Sequence, residues 1–336
     1  MPNNLQLVAG DVFLHQGKGI VANLIQFFDG SQYSHASLVL DPAEICEAAP
    51  GGVKRTPLAG MADEYNFVDL YRLIHQVPTL DPVVARGSYY AQIGDRYAYE
   101  QLVLLALLST VRKIPLPPIV RWLLRKLLDA AASVISAILA AGRQPMICSE
   151  LVYRCFDEAI PGDDDDVYTL HINQLPNLVT LTARGLQGAR GVRGLGIHPE
   201  SLFAAVATQQ STQRWLFAPA SVLPAAPEPN VEALTNDLEP FARQYLDAVA
   251  KPHTSEWLAP SALASDPEIV SRLNRFVTLA NQALRKQRQS LSFYGTADLH
   301  AEYSLFSGTV ADFVTPKDLR DCADLGKVGR YAGEGS

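Results

Sequence analysis

The sequence predicts an α+β fold, with an antiparallel sheet near the N-terminus and helices through most of the remainder. Three observations carry that expectation. Short runs rich in Val, Leu, Ile and Phe, bounded by Gly, Pro and Asp, crowd the first hundred residues. Beyond residue 100 the apolar residues recur at helical spacing instead. Hydrophobic residues make up 48% and charged residues 19% of 336, which supports a packed core and excludes global disorder.

Taken in order, Asp11-Val12-Phe13-Leu14 after Gly10, Ala36 to Leu40, Glu44 to Ala48 and Phe67 to Tyr71 read as strands of an antiparallel meander. Asp41-Pro42 supplies turn chemistry, so the second and third runs are expected to form a hairpin. The uncharged runs Gln101 to Val111 and Ala130 to Gly142 fall short of the roughly 18 residues that cross a bilayer. Pro115, Pro117 and Pro118 break the helix between them, and Trp122, Leu123, Leu124, Leu127 and Leu128 restart it after Ile119. Arg112, Lys113, Arg121, Arg125 and Lys126 cluster at this elbow. The pattern fits a membrane-surface helix as well as a buried helical hairpin, and the hairpin is the first reading. A helix carrying Leu151, Val152, Cys155, Phe156 and Ala159 follows and ends at Pro161-Gly162. Pro219 to Pro229 reads as a linker. Ser265-Asp266-Pro267-Glu268 reads as a capping box opening a helix through Ile269, Leu273, Phe276, Ala280 and Leu284.

Composition also narrows function. A formal charge of −7 gives no chain-wide positive field, so a nucleic-acid partner is not expected. Cys46, Cys148, Cys155 and Cys322 are too scattered for a disulfide scaffold and form no C-x-x-C pair, so structural zinc is not expected and a reactive thiol stays open. His75, His171, His198, His253 and His300 show no metal-ligand spacing, so neither metal nor cofactor is expected. His15 differs from them, because it follows the first strand and lies near any cleft built there. Asp163 to Asp166 reads as a solvated loop, and Gly17-Lys18-Gly19 lacks the context of a phosphate loop. The N-terminal residues lack the pattern of a secretory signal, so a cytoplasmic location is the default and a signal-independent export route stays open.

A nucleophilic cysteine needs a position that favours the thiolate, an imidazole as base and acid, and a group that orients the imidazole. Cys148 stands where a helix is expected to begin, against the positive end of its dipole. His35 opens the Ala36 to Leu40 strand, and Glu47 lies on the next. Side chains alternate faces along a strand, so the pair can meet only in one class of register. If Ser37 faces Glu47, then His35 lies diagonally from Glu47 on the same face. A shift of one residue points them apart. The competing reading of Cys148 is a small buried hydrophobe. Cys46 and Cys155 fall at apolar positions of a strand and a helix and read as core, while Glu150 reads as a first-turn carboxylate.

The order Gly10-Asp11-Val12, Tyr33-Ser34-His35-Ala36, Glu47-Ala48, Gly94-x-x-Tyr97-x-Tyr99, Cys148-Ser149-Glu150-Leu151-Val152 and Thr315-Pro316-Lys317-Asp318-Leu319 resembles the permuted papain-like hydrolases of the YaeF/YiiX type. These are related to the NlpC cell-wall peptidases and to lecithin:retinol acyltransferase-like enzymes. The resemblance implies a circularly permuted papain-like fold whose antiparallel sheet packs on the cysteine helix. It also implies Cys148 as nucleophile, His35 as general base and acid, and Glu47 as orienter, with Tyr97 and Ser149 as the positions for oxyanion or substrate contact. Residues 1–100, 143–160 and 312–336 would form the core, interrupted by an apolar helical insertion at 101–142 and a helical, loop-rich one at 161–311. The expected activity is hydrolysis of an acyl bond, with amide cleavage in peptides, cell-wall peptides among them, as the first reading. Lipid ester hydrolysis or acyl transfer at the same site is the second, with a toxin acting on envelopes as a variant of it. A noncatalytic binding protein is the third.

Overall fold

In this computed structural model the described residues are 5–49, 52–93, 96–97, 100–141, 144–160, 167–172, 197–210, 230–251, 257–287 and 313–333. The expected Pro219 to Pro229 linker, the Asp163 to Asp166 loop, Gly94, Tyr99, His253 and His300 lie outside them, as do the side chains of Tyr97 and Leu284. The chain divides into two units. One comprises Met1–Gln101, Met146–Asn173 and Val314–Ser336, and the other Leu102–Pro145 and Gln174–Phe313.

β1 (Val12–Gly17) lies inside the first unit's sheet, with residues of both its faces buried and only Gln16 half-buried. After α1 (Ile20–Asp29), the strands β2 (His35–Asp41), β3 (Glu44–Ala49) and β4 (Gly52–Pro57) pair outward from β1 in turn. A one-turn helix, α2 (Met61–Glu64), then leads into β5 (Tyr65–Leu73), which pairs with the other edge of β1. The sheet is therefore not the single meander expected. Its order is β4-β3-β2-β1-β5-β8, entirely antiparallel, and it closes with β8 (Leu325–Gly333) beside β5.

Turn chemistry explains the β2–β3 hairpin. The Asp41 carboxylate accepts from the amides of Ala43 and Glu44 at 2.7 and 3.0 Å, so the side chain builds the reversal. Asp41 pairs with Glu44, but the register shifts at a bulge between Val39 and Asp41, so that Val39 faces Ile45 and Ser37 faces Glu47.

One sheet face carries Phe13, Val39, Ile45, Val68 and Leu70, closed over by Leu58 and Met61. The other receives α3 (Asp81–Ile93), which meets it at Gly87. A Cβ on Gly87 would lie 2.8 Å from Leu38 Cδ2 and 3.2 Å from Leu40 Cδ2. Gly87→Val should therefore lower stability by roughly 1–3 kcal/mol through overpacking, read as a fall in the urea midpoint at unchanged slope.

Past the short strand β6 (Arg96–Tyr97), the second unit begins with α4 (Glu100–Val111) and α5 (Val120–Ala140), as the Pro-broken pattern predicts. Residues 102–111 of α4 are buried all round, and α5 packs its apolar stripe against α8 (Val231–Ala250) and α10 (Pro267–Gln287). Between these elements lie β7 (Gln144–Pro145), α6 (Cys148–Asp157), α7 (Leu202–Gln210) and α9 (Pro260–Ala264), of which α6 belongs to the first unit. The residue capping α10 is Asp266, whose carboxylate accepts from the amides of Glu268 and Ile269, whereas Ser265 ends α9. The expected Ser265 cap is thus displaced by one residue. Asp266 also binds Arg125 at 2.8 Å, and Arg272 binds Asp129 at 2.8 Å, so cations of α5 and α10 are paired across the helices. No described helix is long and apolar enough to cross a membrane.

Candidate active site

His35 and Glu47 are both buried, and His35 Nε2 lies 3.1 Å from Glu47 Oε2. The pairing follows from the bulge, which places Ser37 opposite Glu47 and puts His35 one diagonal step away on the same face. Thr56 of β4 donates to Glu47 Oε1 at 2.6 Å, so both carboxylate oxygens are engaged. Burial opposes the charge of Glu47, but the hydrogen bonds from His35 and Thr56 and the His35 charge outweigh it and hold the carboxyl at about 2. An ionised carboxylate only accepts, so the hydrogen between the two groups sits on Nε2. Nδ1 is then the nitrogen that can exchange a proton with a nucleophile.

This arrangement has a measurable acid limb. The folded-state pKa of Glu47 is depressed, so its stabilisation is complete above the ordinary glutamate range near 4.3 and is lost as pH falls toward about 2. Unfolding free energies measured between pH 6 and pH 2 should converge for wild type and Glu47→Gln at the acid end and separate above about pH 5.

Cys148 is the first residue of α6 and is fully buried. Ile147, at the N-cap, has no side-chain oxygen to cap the helix, so the positive end of the helix dipole is left to act on groups placed there. α6 packs with α3 against β2 and β3 on the face of Leu38, Leu40 and Cys46, whereas His35 and Glu47 alternate onto the face they share with Val39 and Ile45. Beside it the Ser149 hydroxyl donates to the Val314 carbonyl at 2.6 Å, just ahead of α11 (Pro316–Asp321), which opens with a Thr315–Asp318 capping box. That hydroxyl is committed to the fold, so what Ser149 can offer a substrate is its backbone amide. Glu150 accepts from Arg154 at 2.8 Å along the helix surface, in line with a structural first-turn carboxylate. Tyr97 lies in β6 by its backbone, and its side chain falls outside the described residues.

The other thiols are held differently. Cys46 donates to the Gly87 carbonyl at 3.2 Å, and burial pushes its thiol up to about 12. Burial likewise pushes Cys322 up to about 11, beside the Asp324 carboxylate at 3.7 Å. Cys155 is buried between α6 and α3, where its sulfur would lie 3.6 Å from a Cβ on Gly87.

Three neighbours of the pair had no sequence signal strong enough to name them. Thr56 lies on an edge strand of mixed pattern, Tyr65 opens β5, and Ser37 carries no motif beyond its place two residues after His35. In the sequence His15 carries no signal beyond its nearness to the first strand; the register makes it the direct cross-strand partner of His35. Among the described residues, no group of three or more His, Cys, Asp and Glu side chains is placed to hold a metal ion. No family model and no curated protein matches the chain.

Proposed function

We propose that this protein is a cysteine-dependent hydrolase of acyl bonds, built on a permuted papain-like core in which the histidine strand precedes the cysteine helix. The observation that carries the reading is the buried His35–Glu47 pair at 3.1 Å, on strands against which the Cys148 helix packs. In this reading Nδ1 of His35 takes the thiol proton of Cys148, and the thiolate attacks the substrate carbonyl carbon. The oxyanion that forms is met by the uncapped amides at the start of α6. His35 returns the proton to the leaving nitrogen or oxygen, giving a thioester, and then activates the water that hydrolyses it. Glu47 stays ionised throughout and stabilises the imidazolium.

Amide cleavage is preferred over lipid ester cleavage on the burial of the inserted helices. The lipid reading draws on the apolar segment 101–142, yet residues 102–111 are buried and the leucines of α5 face α8 and α10. Trp122 is the large apolar side chain there that remains exposed, stacked near Phe241 at 6.4 Å and under the Arg125 guanidinium. Purified protein incubated with peptidoglycan fragments and, separately, with phospholipid vesicles tests the choice. Release of fatty acid without any peptide cleavage sinks the amidase reading. Inertness toward both, together with equally sluggish alkylation of all four thiols, favours a binding protein instead.

A further inference from the structure

His15 takes no part in the proton transfers just described, yet it is fully buried and its ring centroid lies 5.0 Å from that of His35. Its Nε2 lies 2.8 Å from the hydroxyl of Ser37, the residue that faces Glu47. Tyr65 contacts both imidazoles, 4.3 Å from His15 and stacked on His35 at 5.9 Å and 10°. The Nδ1 atom of His15 is buried with no partner among the described residues. Burying an unsatisfied polar atom costs about 1–3 kcal/mol, so a phenyl ring would fill this space at lower free energy. The use of histidine calls for another reason.

That reason is the neighbour. Burial, and then the charge on His35, hold the His15 imidazole well below its ordinary pKa, so it stays neutral while His35 gains and loses a proton. A neutral, hydrogen-bonded ring solvates a forming imidazolium better than a hydrocarbon ring does. The other groups facing the pair are Glu47 on β3, Lys54 opposite Glu47 on β4, and Tyr65 on β5. The helices α3 and α6 pack on the other face of β2, at Leu38 and Leu40, while α2, which closes the pair's own face through Met61, brings the exposed Asp63 and Glu64.

We propose that His15 is a positioning residue for His35: tied to Ser37, it braces the His35 ring together with Tyr65 and gives the imidazolium a polar neighbour. The inference rests on the reading of His35 as base and acid, and its test separates the two. The His35 ring is titrated by NMR in wild type, His15→Phe and His15→Gln, and the pH dependence of Cys148 alkylation by iodoacetamide is recorded in parallel. His15→Phe should lower the His35 midpoint by about half to one pH unit and move the alkylation limb with it, while His15→Gln, which can still bond Ser37, stays closer to wild type. A His35 midpoint in His15→Phe within about 0.2 unit of wild type overturns the proposal, whatever the reactivity of Cys148. If His15→Phe does not fold, Ser37→Ala releases only the Nε2 tether; a shifted His35 midpoint then supports the brace and an unshifted one overturns it. Wild-type Cys148 that alkylates no faster than the other thiols removes the hydrolase reading, and the NMR titration still decides the role of His15.

Discussion

Cys148→Ala should abolish turnover, with a loss of at least about 10³-fold in kcat/KM, while the circular dichroism spectrum and urea midpoint stay close to wild type. The substitution removes one sulfur atom from a buried site at the head of α6, so the effect on stability is small against the effect on chemistry. His35→Ala should cost a comparable factor, since in the proposed mechanism it is this imidazole that takes the thiol proton. Because the two side chains act as one unit, the double variant should be little worse than either single one. Additive losses would mean that Cys148 and His35 act separately, and an unchanged rate in Cys148→Ala would refute the nucleophile outright. Glu47→Gln belongs to the same series but keeps the geometry. It should retain more activity than His35→Ala, because it removes the orienting charge and not the base.

The largest effect on stability is expected at Asp69. Its carboxylate is fully buried on β5 and accepts from Tyr33 Oη at 2.7 Å, Lys327 Nζ at 2.7 Å and Arg330 Nε at 2.9 Å. Burial opposes its charge, but the hydrogen bonds from Arg330, Lys327 and Tyr33 prevail and lower its pKa. Removing one member of a buried charged network leaves its partners uncompensated, at about 3–5 kcal/mol when all are buried. Here the side chains of Lys327 and Arg330 retain 43% and 26% exposure, so Asp69→Ala should cost nearer 2–3 kcal/mol, on the order of the lower bound. Urea unfolding measures the total. Amide hydrogen exchange locates it: protection should fall first along β8, the edge strand that Lys327 and Arg330 anchor to the sheet. Uniform loss of protection across all six strands would show instead that Asp69 supports the whole sheet.

How far the site was legible in the sequence is clearest at the His35–Glu47 hairpin. Alternation along the strands showed that only one class of register lets these residues meet, and the structure adopts it. What no local rule showed was how the turn gets there. The Asp41–Glu44 pair sets one register, and the bulge at Leu40 converts it to the other before the strands reach Ser37. Neither β4 nor β8 was legible. Lys54 and Arg55 interrupt the apolar pattern of one edge strand, and Gly326, Gly329 and Gly333 thin out the other, whose place is set by Asp69 across the sheet. α3 carries no legible helical signal because Gly87 and Ser88 sit in its middle, where close packing against Leu38 outweighs their weak helix propensity.

By itself the sequence determined the α+β class, the strands around His35 and Glu47, the helix headed by Cys148, and the two helices on either side of the Pro115 to Pro118 elbow. Each of these rests on periodicity or turn chemistry within a few residues, which the chain carries wherever it folds. Only the tertiary structure decided that β5 and not β4 lies beside β1, that Ser149 spends its hydroxyl on Val314, and that His15 faces His35. Those facts depend on pairing between segments distant in sequence, where register is set by the joint burial of a face and not by any residue's own preference.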